Sequence, residues 1–234
     1  MIAVDTPGGV RALFSTRSGG VSSGGYASLN LGLNTDDNPA AVRENWGILA
    51  ARSGLTVDAF VANRQVHGRA VHVVDAAGRD GADADALVTR RSGVGLLALG
   101  ADCLPVLLWR VDGRAIGAVH AGWRGVLAGV IAEAAGSLGG GLLCAAVGPG
   151  IGPCCYPVGD DVREAFLGAF GASVVMGRAI DVRHAALIAL KRAGVGAERI
   201  QSVNRCTSCE PDHFFSYRRD GAVTGRQAGL IWRS

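Results

Sequence analysis

Two strongly apolar runs, Val106–Trp109 and Ala115–Val119, flank an Asp112-Gly113 pair. An Asp-Gly dipeptide between such runs predicts a tight β-hairpin, because both residues tolerate the backbone geometry of the turn. The constraint reaches past the turn. Cys103 just precedes the first run and His120 follows the second, so closing the hairpin brings a thiol and an imidazole together at its open end. A cysteine and a histidine fixed on a rigid ladder can begin a metal site or a Cys–His nucleophile pair. They can equally be a buried thiol and a strand-end histidine without chemistry.

Further elements follow the same signals. Val10–Thr16 reads as a strand entering the Gly- and Ser-rich loop Arg17–Gly25. Such a loop can turn backbone N–H groups onto an anion, with Arg17 at its entrance, or it can be a plain surface loop. Asn38-Pro39 predicts a helix start, with Val42, Trp46 and Leu49 at helical spacing and Gly54 as the stop. Ala70–Val74, Asp83–Thr89, Val94–Leu99, Leu142–Val147 and Arg199–Asn204 read as strands. Helices are expected over about Val126–Leu138, Asp160–Phe170 and Asp181–Ala193. Phe214–Arg219 and Thr224–Trp232 read as a second hairpin around Asp220-Gly221. Helices and strands are interspersed without the regular alternation of a parallel sheet. The expectation is an α+β fold in which mixed β-sheets with hairpins are layered with outer helices, a single domain over residues 1–234.

Composition removes several function classes. The chain is 49% apolar, enough for a full core. Net charge is only +3, with both signs scattered, so no nucleic-acid partner is expected. No apolar run has membrane-spanning length, and the start lacks a leader pattern. A cytoplasmic protein with reduced thiols is therefore expected. Lys191 is the only lysine, so phosphate or carboxylate contacts would fall to arginine forks.

Six cysteines and five histidines are available as ligands. His72 reads as a solvent-facing strand residue, and His184 and His213 as helix-face and loop residues. His67, beside Gly68, belongs to a loop or strand end, as Cys103 and His120 do. Two ring nitrogens and one sulfur suit zinc and leave a fourth position open. Asp102 and Gln65 stand near the ligands in sequence and could orient a water. Copper fits less well. Its weak axial ligand would have to be Met1 or Met176, neither near a ligand, and a multicopper cluster needs more imidazoles than the chain has. A Cys103–His120 hydrolase would leave His67 without a role. Adjacent cysteines rarely bridge each other, so Cys154 and Cys155 read as structural residues. Cys206-x-x-Cys209 would need a second pair for structural zinc, which Cys154-Cys155 could supply only if the fold happens to bring them together, and it lacks the following helix of a redox motif.

In order and spacing, T-R-S-G-G-V-S, S-L-N-L-G, Q-V-H-G, D-A-L-V-T, A-D-C-L-P-V, V-H-A-G-W-R-G, G-P-G-I-G-P-C-C-Y-P-V-G and F-F-S-Y-R-R-D-G…T-G-R-Q resemble one bacterial family. It was long described as laccase-like polyphenol oxidase and is now read as multifunctional purine nucleoside phosphorylase. The match runs from about Leu13 to Trp232. The resemblance implies that His67, Cys103 and His120 hold a catalytic zinc. It also implies phosphorolysis of adenosine, inosine and methylthioadenosine with adenosine deamination, and a fold of mixed sheets layered with helices. Purine nucleosides and phosphate are then the partners. For the phosphate, arginine forks are suited, and the sequence offers Arg17 with its glycine loop or Arg124 next to the metal ligands; Gln65 and Asp102, adjacent to ligands, are candidates near substrate. Where the family pattern has a His and a Gly-Asp after S-L-N-L-G, this chain has Leu33-Asn34-Thr35-Asp36-Asp37. The alternatives are a copper-dependent phenol oxidase, a hydrolase of cell-wall precursors, and a non-catalytic zinc-stabilised module.

Overall fold

In the computed structural model, which describes residues 1–77 and 81–234, the Asp112-Gly113 hairpin forms at the centre of a sheet. The strands in chain order are β1 (Ile2–Val4), β2 (Val10–Phe14), β3 (Phe60–Ala62), β4 (Val71–Val73), β5 (Ala86–Thr89), β6 (Gly95–Gly100), β7 (Leu104–Arg110), β8 (Ile116–Ala121), β9 (Leu143–Val147), β10 (Val175–Met176), β11 (Ala179–Ile180), β12 (Ile200–Ser202) and β13 (Gln227–Arg233). The helices are α1 (Pro39–Ser53), α2 (Trp123–Ala128), α3 (Val130–Ser137), α4 (Asp160–Phe170), α5 (Val182–Arg192) and α6 (Tyr217–Asp220). One sheet has the order β1-β2-β13-β6-β3 and the other β12-β9-β7-β8-β5-β4, with β10-β11 a separate pair. Both large sheets are mixed: β3 runs parallel to β6, β4 to β5 and β12 to β9, and the other pairs are antiparallel. This is the α+β class the sequence predicts.

The layering explains why the central strands are apolar on successive residues. Leu104, Val106 and Leu108 of β7 pack with Val130, Ile131, Ala185 and Leu190 of the α3 and α5 layer. Leu107 and Trp109, on the opposite face, pack with Phe14, Leu96 and Ile231 of the other sheet. That sheet's outer face buries Leu13, Leu97 and Leu230 against Trp46 and Leu49 of α1. Strands covered on both faces need no polar alternation. The order through the molecule is α1, sheet, sheet, then α2–α5. Asn38 caps α1 by accepting from the Ala40 N–H at 2.9 Å, with Pro39 in the first turn.

Three local expectations are corrected. The helix expected over Val126–Leu138 starts earlier, at Trp123, and is broken where Gly129 turns left-handed with φ 89°, giving α2 and α3. Phe214–Arg219 is not a strand. The Ser216 hydroxyl accepts from the Arg219 N–H at 3.2 Å and starts α6, while β13 pairs with β2 and β6. His72 is half-buried rather than solvent-facing, with Nδ1 2.9 Å from Asn63 Oδ1. Among the described residues no helix is long and apolar enough to cross a membrane.

Candidate metal and substrate site

The register Leu104↔Ala121 and Pro105↔His120 sets Cys103 beside the end of β8. The Gln65–Gly68 loop arrives at the same point from the end of β3. One donor atom from each of His67, Cys103 and His120 then lies within 4.8 Å of the others. Cys103 Sγ stands 3.9 Å from His67 Nε2, and the two imidazole rings cross at 80° with centroids 4.9 Å apart. His120 is buried, Cys103 half-buried and His67 exposed. The three line a cavity of about 720 Å³, within the usual range for small-molecule sites.

Asp85 organises this trio. Its side chain is fully buried, and its Oδ1 accepts from His120 Nδ1–H at 2.8 Å and from the His67 N–H at 2.9 Å. Its Oδ2 accepts from the Gly68 N–H at 2.7 Å, and its carbonyl accepts from the His120 N–H at 2.7 Å. A carboxylate on Nδ1 fixes that nitrogen as an N–H and leaves Nε2 of His120 as the atom that would give up its proton to a metal, the usual support of a metal-binding imidazole. The same bonds hold His67 at φ 60°, a left-handed backbone that a side chain rarely adopts. Sequence reading placed Asp85 only in a strand. The available signal is an acid leading an otherwise apolar run, D-A-L-V-T.

The local electrostatics favour a thiolate beside an imidazolium. Burial alone would raise the Cys103 thiol, but the charge of His120 and hydrogen bonds from His120 and His67 bring it down to about 6. Burial alone would lower His120, but the Cys103 thiolate and the Asp85 bond lift it to about 9. Asp85 is itself held below the ordinary carboxylate range: burial opposes this, and bonds from His120, Gly68 and His67 outweigh it.

The other predicted residues take varied places. Gln65 lines the cavity, but its amide clips both the carbonyl and the N–H of Leu99, at 2.7 and 2.8 Å, and so anchors the His67 loop to β6. Asp102, at φ 99°, accepts from the Thr207 hydroxyl and the Arg218 N–H, each at 2.7 Å. Its carboxylate ties β7 to the C-terminal loops. The structure does not bring Arg17 to the cavity. Its guanidinium donates to the carbonyls of Ala27 and Pro211, each at 2.8 Å, and stacks on Phe215. Arg124 does line the cavity, 4.3 Å over the Trp123 ring.

Three more arginines share the wall. Arg64 is paired with Asp83, Arg218 donates to the Pro157 carbonyl, and Arg226 donates to the carbonyls of Thr224 and Gly225. Of these four arginines only Arg64 has an acidic partner for its guanidinium among the described residues; Arg124 differs from Arg218 and Arg226 in resting on an aromatic ring of its own neighbour, Trp123. Tyr156 and Tyr217 add aromatic surface, and Leu33, Asn34 and Thr35 form part of the rim. Sequence reading missed Tyr156, Tyr217, Arg218 and Arg226, which reach the cavity from α6 and from loops distant along the chain.

The donor set fits zinc. Imidazole and thiolate are ordinary zinc ligands, and three protein donors leave one position for exchange. Neither methionine lines the cavity, nor do His72, His184 or His213. Among the described residues the cavity therefore offers neither the axial thioether of a blue-copper site nor the further imidazoles of a multicopper cluster.

Comparisons with known proteins agree on one relationship. A family model described as "Multi-copper polyphenol oxidoreductase laccase" matches residues 11–234. The purine nucleoside phosphorylase YfiH of Shigella flexneri is 42% identical over 232 residues, 97% of this chain and 95% of that protein. A purine nucleoside phosphorylase of Deinococcus radiodurans is 43% identical over 228 residues, 93% of this chain and 87% of that one. The crystal structure of a Neisseria meningitidis protein superposes with a TM-score of 0.89 at 38% identity, covering 100% of this chain and 98% of that one.

Proposed function

The chain belongs to the multi-copper polyphenol oxidoreductase laccase family, and from that premise we propose that it is a zinc-dependent purine nucleoside phosphorylase. The proposed substrates are adenosine, inosine and methylthioadenosine, with adenosine deamination as a second activity. One observation carries this reading: His67, Cys103 and His120 line a cavity whose wall also holds Arg124, Arg218 and Arg226, none of them with an acidic partner for its guanidinium among the described residues. The relatives' names supply the reaction class.

In phosphorolysis a phosphate oxygen bonds to the sugar's anomeric carbon as the bond from that carbon to purine nitrogen breaks. The electron pair leaves with the base, which takes up a proton. When bound, zinc would supply Lewis acidity at the position left open by His67, Cys103 and His120. The protein's own part is placement. Arg124 offers a planar fork to two phosphate oxygens, and its seat on Trp123 limits the conformations it must give up. Tyr156 and Tyr217 offer apolar surface to a purine. The clip from Gln65 to Leu99 and the ties on Asp102 keep the donors from drifting.

The reading is tested by incubating the purified protein with adenosine or inosine, with and without phosphate. Adenine and hypoxanthine with ribose 1-phosphate are expected only when phosphate is present, and base release that ignores phosphate would contradict the reading. Arg124→Ala is expected to lower phosphorolysis on the order of 10²-fold, the scale of losing one transition-state donor. It should lower deamination far less, and equal losses would remove Arg124 from the phosphate site. A methyl at Gly122 would stand 3.0 Å from both Cys103 Sγ and the His67 ring. Gly122→Ala is therefore expected to weaken zinc binding at this centre about 10-fold or more, within the range seen when a ligand's support is disturbed. Competition with a chromophoric chelator measures it, and unchanged affinity would show that the two ligands need not hold this geometry.

A further inference from the structure

Away from the cavity, two loops bring four thiols together. The Gly148–Cys155 loop carries Cys154 and Cys155, and the segment after β12 carries Cys206 and Cys209. All four sulfurs lie within 4.8 Å of one another. Cys209 Sγ is 3.4 Å from both Cys154 Sγ and Cys155 Sγ. All are free thiols, and Cys154 and Cys209 are exposed. The fold thus brings Cys154 and Cys155 to the C-x-x-C pair, the juxtaposition that sequence alone left to coincidence.

We propose that Cys154, Cys155, Cys206 and Cys209 form a structural zinc site, separate from the His67–Cys103–His120 centre. Four sulfurs at zinc–thiolate distance on a tetrahedron lie about 3.8 Å apart, between the shortest contacts and the outer limit observed. A disulfide would join the sulfurs only in pairs, at about 2.05 Å. Four thiolates around one point suit a soft, closed, four-coordinate ion with no open position. The backbone is already arranged for thiolates. The Gly152 N–H donates to Cys206 Sγ at 3.2 Å.

The loops are held in register without the metal. Gly150 bridges Cys206, and the buried Arg183 guanidinium gathers the carbonyls of Gly148 and Gly150 from one loop and Val203 and Arg205 from the other. Binding would form four Zn–S bonds and release the thiol protons to solvent, with no change of oxidation state. The site would also steady the cavity wall. Thr207, within the C-x-x-C segment, donates to Asp102, and Tyr156 follows Cys155 directly.

The test uses full-length Cys103→Ala protein, in which the other centre has lost its thiolate, so that it does not depend on the proposed activity. Native mass spectrometry of protein grown with zinc is expected to show one zinc per chain. Cys103→Ala/Cys209→Ser is expected to hold less than a tenth of that. Should the double variant fail to fold, cobalt loaded into Cys103→Ala decides. Strong thiolate-to-cobalt charge transfer with tetrahedral ligand-field bands is expected. Metal-free Cys103→Ala protein from the same growth, a disulfide among the four thiols, or cobalt protein without those bands would overturn the proposal.

Discussion

Cys103→Ala is expected to abolish turnover. The substitution removes the only sulfur donor of the His67–Cys103–His120 centre and the negative charge that His120 faces. Loss of an outer partner of a metal ligand typically costs about 10–100-fold in affinity or activity, and loss of a ligand must cost more. Phosphorolysis of inosine should therefore fall by more than 100-fold, on the order of the scale just given, and the variant should carry one zinc fewer per chain than the unmodified protein. The change is small in volume and sits at a cavity wall, so the far-UV spectrum and unfolding temperature report whether the fold survives. Full phosphorolysis by folded Cys103→Ala protein lacking that zinc would refute the role given to the centre.

Asp85→Asn is expected to have the second largest effect. The carboxylate accepts from His120 Nδ1 and from the N–H groups of His67 and Gly68. An amide offers one oxygen and turns an N–H toward donors, so at least one buried donor loses its acceptor. Each orphaned group costs about 1–3 kcal/mol. The histidine also loses the partner that fixes its tautomer, which predicts a further fall of about 10–100-fold in zinc affinity and turnover. Chelator competition and urea unfolding measure the two effects separately. Unchanged zinc affinity alongside lowered stability would make Asp85 a purely structural residue.

The meeting of Cys103 and His120 was legible in sequence, whereas His67 joined them through chemical fit and the family resemblance and not through any local spacing. Asp112-Gly113 closes β7 on β8 and so sets Cys103 beside His120, and Gly68 marks the turn at His67. The support was less legible. Asp85 reaches His67 and His120 across sequence separations that no local pattern encodes. The same Asp-Gly signal misled at Asp220-Gly221, where Ser216 caps a helical turn and β13 finds partners from other parts of the chain. Arg17 looked like an anion contact because its neighbours are glycines and serines, yet carbonyls and an aromatic ring engage it. The four-thiol cluster joins residues more than fifty positions apart and becomes visible only when the Gly148–Cys155 loop meets the segment after β12.

Diffraction from crystals of the zinc-grown protein, collected on both sides of the zinc absorption edge, addresses the central claim most directly. The account predicts an anomalous peak within bonding distance of Cys103 Sγ and of ring nitrogens of His67 and His120. No peak between those side chains, or one that stays equally strong just below the zinc edge, as copper would give, would contradict it.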